Sequence, residues 1–292
     1  MKTKKILTIL LTAVLTLTAV STVAARKKNS WNPKAEINVM SREEGSGTRG
    51  AFVELTGVEQ KNEKGQKVDM TTEEAGITNN TSVMITGVNT NTYAIGYISL
   101  GSLNDSVKAL NIENVQASAQ NVKNGTYKLS RPFNIAVKEN ISFAAQDFIN
   151  FIMSVQGQAI VEKNNYIAVN QGQTFKSNMP AGKIVIAGSS SVSPVMEKLK
   201  EAYLKINVNV QIDIQTNDSS TGIAAVAEGI CDIGMASRNL KASELEKGLS
   251  PLTIALDGIA VIVNNANPLN NLSIENVRKI YTGEISYWKD LK

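Results

Sequence analysis

The chain has 292 residues, 42% hydrophobic, 19% charged and 5% aromatic, which fits a soluble globular protein of one or two domains and excludes a low-complexity chain or a disulfide-stapled scaffold. One Cys and no His leave no intrachain disulfide and exclude Ser-His and Cys-His catalysis, His proton shuttling and most zinc sites. The net charge of +4 misleads, because six basic residues and no acid fall within the first 28 positions; the remainder holds 24 basic against 26 acidic residues and offers no bulk electrostatic case for binding nucleic acid.

Residues 1–25 read as a secretory signal peptide. Three lysines precede an uncharged apolar run at 6–20, and the small residues Val23, Ala24 and Ala25 precede Arg26. An uncleaved membrane anchor is the alternative, since the run through Ala25 just reaches the length of a span. No Cys lies nearby to take a lipid. The protein is therefore expected to be exported, extracellular or periplasmic, and either released or held at the membrane by its own N-terminal segment.

Residues 26–35 form a polar linker, and Glu36–Met40 a short strand. The Gly-rich turn SREEGSGTRG (41–50) leads into a helix over Thr48–Leu55 behind a Ser/Thr cap. Residues 57–92 are polar and Asn/Thr-rich. Tyr93–Leu100 and Arg131–Val137 read as strands, and Phe143–Lys163 as one long amphipathic helix. Residues 169–182 have no apolar period and read as an exposed connector.

Beyond it, strand, Ser-rich turn and helix repeat. Lys183–Ala187 is a strand, GSSSVSP (188–194) a turn, Val195–Lys205 a helix, Val208–Ile214 a strand, and DSSTG (218–222) a turn into a helix. Ile254–Val263 is a nearly continuous apolar run suited to a buried strand, and Ile274–Ile280 a short helix. The class is α/β with strands covered on both faces.

Three turns share a design, with hydroxyls and unpaired backbone N–H groups at a helix start, where a tetrahedral oxyanion is held by dipoles without a basic surface. One such turn is ordinarily only a cap; three, one with an embedded Arg and carboxylate, favour an anion site. GSGTRG lacks the Gly-Lys-Ser/Thr ending of a nucleotide phosphate loop, and a Ser nucleophile would lack its His.

Together with CDIGMASR (231–238), ALDGIAVIVN (255–264), YTGEISYW (281–288), YAIGYISLGSL (93–103) and NGTYKLSRPF (124–133), these turns resemble the phosphate-binding proteins of bacterial phosphate ABC importers, over nearly all of residues 36–292. The order differs. In that family the half bearing GSSSVSP comes first and the half bearing SREEGSGTRG second, so the chain resembles a circularly permuted member, which an exposed cut and adjacent original termini would tolerate.

The resemblance implies a two-lobed type II periplasmic-binding-protein fold, circularly permuted. One lobe would be 132–262, containing the connector 170–182, and the other 36–131 plus 263–292, with hinge crossings near Pro132–Ala136 and Ile259–Asn264. It implies a non-enzymatic monomer that captures inorganic phosphate in the interlobe cleft and delivers it to a membrane ABC permease, without cofactor or nucleic-acid partner. A secreted phosphate-binding sensor or adhesion protein uncoupled from transport is the alternative. A phosphate-transfer enzyme is disfavoured by the lack of His, of a metal-ligand cluster and of a nucleotide phosphate loop.

By the same resemblance Ser190, Ser191 and Ser219 donate hydrogen bonds to phosphate, Arg42 makes the one formal salt link, and Ser46, Gly47 and Thr48 donate from the third helix start. Glu44 matches a carboxylate that accepts from a protonated oxyanion and repels fully ionised sulfate. Ser237 stands where better-known members have a second Asp. Arg238 beside it is expected to pair with a neighbour, Asp257 to be structural, and Cys231 to be a small buried hydrophobe.

Overall fold

The computed structural model describes residues 31–169 and 172–291. The expected signal segment and most of the expected linker lie outside the described residues. Among those described, no helix is long and apolar enough to cross a membrane.

The chain first forms β1 (Asn38–Arg42), α1 (Gly47–Thr56), a hairpin of β2 (Glu59–Lys61) and β3 (Lys67–Asp69), β4 (Gly76–Thr78), α2 (Thr81–Thr90) and β5 (Ala94–Ser99). Short strands β6 (Lys108–Ala109) and β7 (Asn111–Ile112), helix α3 (Ala119–Lys123) and strand β8 (Ser130–Val137) follow. Next come α4 (Phe143–Ile152), α5 (Val155–Lys163), β9 (Gly182–Ser189), α6 (Ser193–Tyr203), β10 (Val210–Asn217), α7 (Ser219–Glu228) and β11 (Ile233–Ala236). The chain closes with α8 (Ala242–Leu245), β12 (Ser250–Val263), β13 (Asn271–Leu272) and α9 (Ile274–Tyr281).

The main sheet is mixed, in the order β10-β9-β11-β8-β12-β5-β1-β4, with β6 also on β12. β10, β9 and β11 run parallel, as do β5, β1 and β4, while β8 and β12 are antiparallel to their neighbours. The long strand β12 pairs with β8 through Ser250–Gly258 and with β5 through Ile259–Val263.

Its buried residues fall into separate apolar clusters. One draws on residues 37–129, Ile167 and 259–288; the others draw on 133–255. The changeover falls between Leu129, just before β8, and Phe133 on it, and between Ala255 and Ile259 on β12. Each fully buried Phe, Ile or Leu contributes roughly 1.5–3 kcal/mol of burial free energy, so each cluster is a core in its own right.

Most expected elements form within two or three residues of the expected bounds, with three differences. The helix expected over Phe143–Lys163 is two. Ser154 bonds back to the Phe151 carbonyl and caps α5 by accepting from Gly157 N–H, and a Cβ at Gly157 would stand 2.1 Å from the Phe151 carbonyl oxygen, so only Gly fits the corner.

The polar stretch 57–92 holds β2, β3, β4 and α2. Their exposed surfaces show no apolar period, and α2 is set by its Asn80 cap, which accepts from Val83 N–H at 2.9 Å. The connector, expected to be simply exposed, is pinned. Phe175 lies half-buried 5.3 Å from the Phe151 ring, its N–H donates to Gln156, and Ser177 donates to the buried Asp147.

Candidate functional site

β1, β4, β9, β10 and β11 are each followed at their carboxyl ends by a turn, and the five turns meet. Ligands in α/β proteins bind at this edge, where the strands release the backbone into helix starts. α1, α2, α6 and α7 all begin here. Ser46, Asn80 and Asp218 cap three of them, accepting from Arg49, Val83 and Thr221 N–H. Pro194, early in α6, fits a position whose N–H has no intrahelical partner.

A buried hydroxyl cluster fills the meeting point. Thr48 Oγ1 lies 2.8 Å from Ser191 Oγ and 3.5 Å from Ser237 Oγ. Ser219 Oγ lies 3.5 Å from Ser237 Oγ and accepts from Ser237 N–H at 3.1 Å. Arg42 Nη2 donates to Ser190 Oγ at 3.0 Å. A Cβ at Gly47 would stand 2.4 Å from Ser219 Oγ and 2.8 Å from Ser237 Oγ, so a residue with no side chain is what lets these elements approach.

Arg42 is 1% exposed at the end of β1, and its Nη1 has no hydrogen-bond partner among the described residues. An arginine N–H left unsatisfied in the interior costs a few kcal/mol, so the site presents an unspent donor of formal positive charge. Its position is fixed from behind. Arg42 N–H donates to Tyr97 OH, Arg49 donates to the Arg42 carbonyl, and the Tyr97 ring stacks on Phe52 at 3.9 Å. Burial pushes the Tyr97 phenol up to about 12, keeping this support neutral.

Of the residues expected at the site, Arg42, Thr48, Ser190, Ser191, Ser219 and Ser237 are linked by hydrogen bonds, and Gly47 packs against two of them. Ser46 is buried beside them as the α1 cap. Glu44 is not with them: it is exposed and makes no side-chain hydrogen bond or ion pair among the described residues. Ser46 N–H closes a turn onto the Glu43 carbonyl, which throws Glu44 to the outer corner. The carboxylate on Arg42 is instead Glu43, accepting from Nε at 2.7 Å and Nη2 at 2.6 Å.

Two further residues escaped sequence reasoning. Thr81, the first residue of α2, is 5% exposed with its hydroxyl 3.5 Å from Ser190 Oγ and 3.4 Å from Ser191 Oγ. Asn79-Asn80-Thr81-Ser82 is the same kind of capped start as those of α1 and α7, and the polar segment around it hid it. Arg131 is 4% exposed and donates to Thr48 Oγ1 and the Ser237 carbonyl at 2.8 Å each. The visible signal was its partner: Asp257, alone in an apolar run, requires a buried cation.

Arg238 pairs with Glu244 through both Nη atoms at 2.8 Å, and Cys231 is buried and free. Asp257 lies 3.2 Å from Arg131 and also accepts from Gly101 N–H. Burial pushes its carboxyl up to about 6, with Arg131 pulling it back. Between about pH 4 and 6 the folded protein therefore holds a proton that the unfolded chain, with an ordinary Asp value, has released. This contribution is complete below about pH 4 and is lost as pH rises through about 6. Denaturant unfolding of the wild type against Asp257→Asn is expected to show the wild type losing stability relative to the variant over that window; a constant difference would contradict the assignment.

Among the described residues, no group of three or more Cys, Asp or Glu is arranged to hold a metal ion. The sequence matches the PBP superfamily domain over residues 10–156 and 173–292. It is 54% identical over 264 residues to the phosphate-binding protein PstS 2 of Streptococcus agalactiae, covering 90% of each chain. It is 46% identical to PstS 2 of Streptococcus pneumoniae over the whole of both. A crystal structure of a phosphate-binding protein of a phosphate ABC transporter from Streptococcus pneumoniae TIGR4 superimposes with a TM-score of 0.70 at 48% identity, over 88% of this chain and all of that one. The α/β architecture, the oxyanion-suited turns and these full-length likenesses agree, and the chain belongs to the PBP superfamily and, within it, to the PstS phosphate-binding proteins.

Proposed function

We propose that this protein captures inorganic phosphate between two lobes and, as the exported binding component of an ABC importer, hands it to a membrane permease. The observation that carries the reading is Arg42, a buried guanidinium whose Nη1 is unspent, amid hydroxyls and four helix starts. The relatives' names supply the ligand and the transport role. Bound phosphate would take hydrogen bonds from Arg42 Nη1, from the hydroxyls of Thr48, Ser190, Ser191 and Ser219, and from the N–H groups that begin α1 and α7. Thr81 and Ser237 border that ligand. The work is binding and release, with no catalytic step and no cofactor.

The lobes follow the apolar clusters, one over about 36–129 plus 259–291 and the other over about 132–256, hinged where β8 and β12 change cluster. Closing about such a hinge buries the ligand. In a circularly permuted chain the final residues, Trp288–Lys292, would run on into about Ala35–Met40, and contacts between these segments support that order. Ile37 N–H donates to the Ser286 carbonyl, Glu36 bridges Tyr287, and the rings of Trp31 and Trp288 meet at 5.4 Å.

Glu43 takes the discriminating role expected of Glu44. An ionised carboxylate held on Arg42 neutralises part of its charge and accepts a hydrogen bond only from an oxyanion that still carries a proton. The transport role is tested by deleting the gene and starving the cells of phosphate. Slower uptake of labelled phosphate, restored by the gene, is expected; unchanged uptake would contradict it.

A further inference from the structure

Arg131 and Asp257 face each other across β8 and β12, at the stretch where both strands pass from one apolar cluster to the other. Both are buried, with side chains 2% and 0% exposed. A buried ion pair is poor evidence of stabilisation, since desolvating two charges offsets their attraction. What distinguishes this pair is where the rest of the guanidinium goes. Nη1 donates to Thr48 Oγ1 at the start of α1 and to the Ser237 carbonyl after β11, so one cation ties an element packed with the first cluster to one packed with the second. The Arg131 guanidinium carbon also lies 5.2 Å from the Phe133 ring centroid, which holds the stem in place.

This arrangement has a directional consequence. Arginine only donates, so Thr48 Oγ1 is an acceptor toward Arg131, and its single O–H is left for an acceptor on the other side. That side is the hydroxyl cluster, where Ser191 Oγ now stands 2.8 Å away.

We propose that Arg131, anchored by Asp257 across the crossing strands, is a positioning residue that turns the Thr48 hydroxyl into a committed donor to the bound oxyanion and holds the two halves of the site together through Ser237. The inference rests on the phosphate-binding reading. It adds a second cation that acts through Thr48 and does not touch the ligand.

Arg131→Gln alone would strand Asp257 as an uncompensated buried charge, so the test uses Arg131→Gln with Asp257→Asn, a neutral pair of similar shape. Phosphate affinity by titration and dissociation rate by stopped flow are measured in the full chain, alone and combined with Thr48→Val. Folding is monitored by the thermal midpoint without phosphate.

The paired variant is expected to bind phosphate roughly ten- to hundredfold more weakly, mainly through faster dissociation. In the Thr48→Val background the same pair of changes should cost little more, because the lost interaction is already gone. Arg131→Lys, which keeps the charge but not the fork, should recover part of the loss. A folded paired variant with unchanged affinity, or losses that simply add to that of Thr48→Val, would overturn the proposal. Failure of the wild type to bind phosphate would instead overturn the functional reading beneath it.

Discussion

Arg42→Met is expected to remove measurable phosphate binding while leaving the protein folded. Arg42 Nη1 has no hydrogen-bond partner among the described residues, and Nη2 donates to Ser190. Hydrogen bonds to charged groups contribute about 1.5–3 kcal/mol each, so losing two weakens binding by roughly two to four powers of ten. The loss is compounded by Glu43, whose side chain is 21% exposed and pairs with Arg42. Without its partner, that carboxylate would face an incoming dianion directly. Met keeps much of the buried stem volume, so packing against the Tyr97 support should survive. Titration calorimetry with circular dichroism as the folding control checks this, and binding within tenfold of wild type would show that the anion sits elsewhere.

The second large effect should come from one methyl group. In Gly47→Ala the new Cβ meets Ser219 Oγ and Ser237 Oγ inside 3 Å. Neither hydroxyl is free to swing away without loss, since Ser219 Oγ accepts the Ser237 N–H. Overpacking of this kind costs about 1–3 kcal/mol, or roughly ten- to hundredfold in affinity. The cost falls on the approach of the two halves, because Gly47 packs with the first and Ser219 and Ser237 with the second. Ala is also a better helix former than Gly, so the unliganded protein should be no less stable. Small-angle scattering adds a second readout: phosphate should compact the wild type and leave Gly47→Ala open. Equal compaction of both would contradict the account.

Much of the fold was legible because strand and helix periods in an α/β chain are strong signals wherever both faces are buried. The apolar run at Ile254–Val263 and the strand-turn-helix repeats beyond residue 182 had only one reasonable reading. The Ser-rich turns were legible as helix starts because helix-start chemistry depends on a few adjacent residues. What escaped depended on tertiary placement. Whether Glu43 or Glu44 folds back onto Arg42 is decided by a turn closed between Ser46 N–H and the Glu43 carbonyl, and adjacent identical residues give no local clue. Thr81 sits on a helix whose exposed faces hide its period, and Arg131 is one basic residue among many until its burial is seen. The break after Phe151 was missed for a similar reason: Gly157 looks tolerable within a helix until the Phe151 carbonyl is found against it.

If the buried cluster around Arg42 binds phosphate and selects it over sulfate, the two anions must differ in titration and Glu43 must set the difference. The decisive experiment is titration of the full chain with phosphate and then sulfate at neutral pH, repeated on Glu43→Gln. Tight one-to-one phosphate binding with no sulfate heat is expected in the wild type, with a gain of sulfate binding in Glu43→Gln as the carboxylate charge is removed. A folded wild type that binds neither anion, or binds both equally, would contradict this expectation.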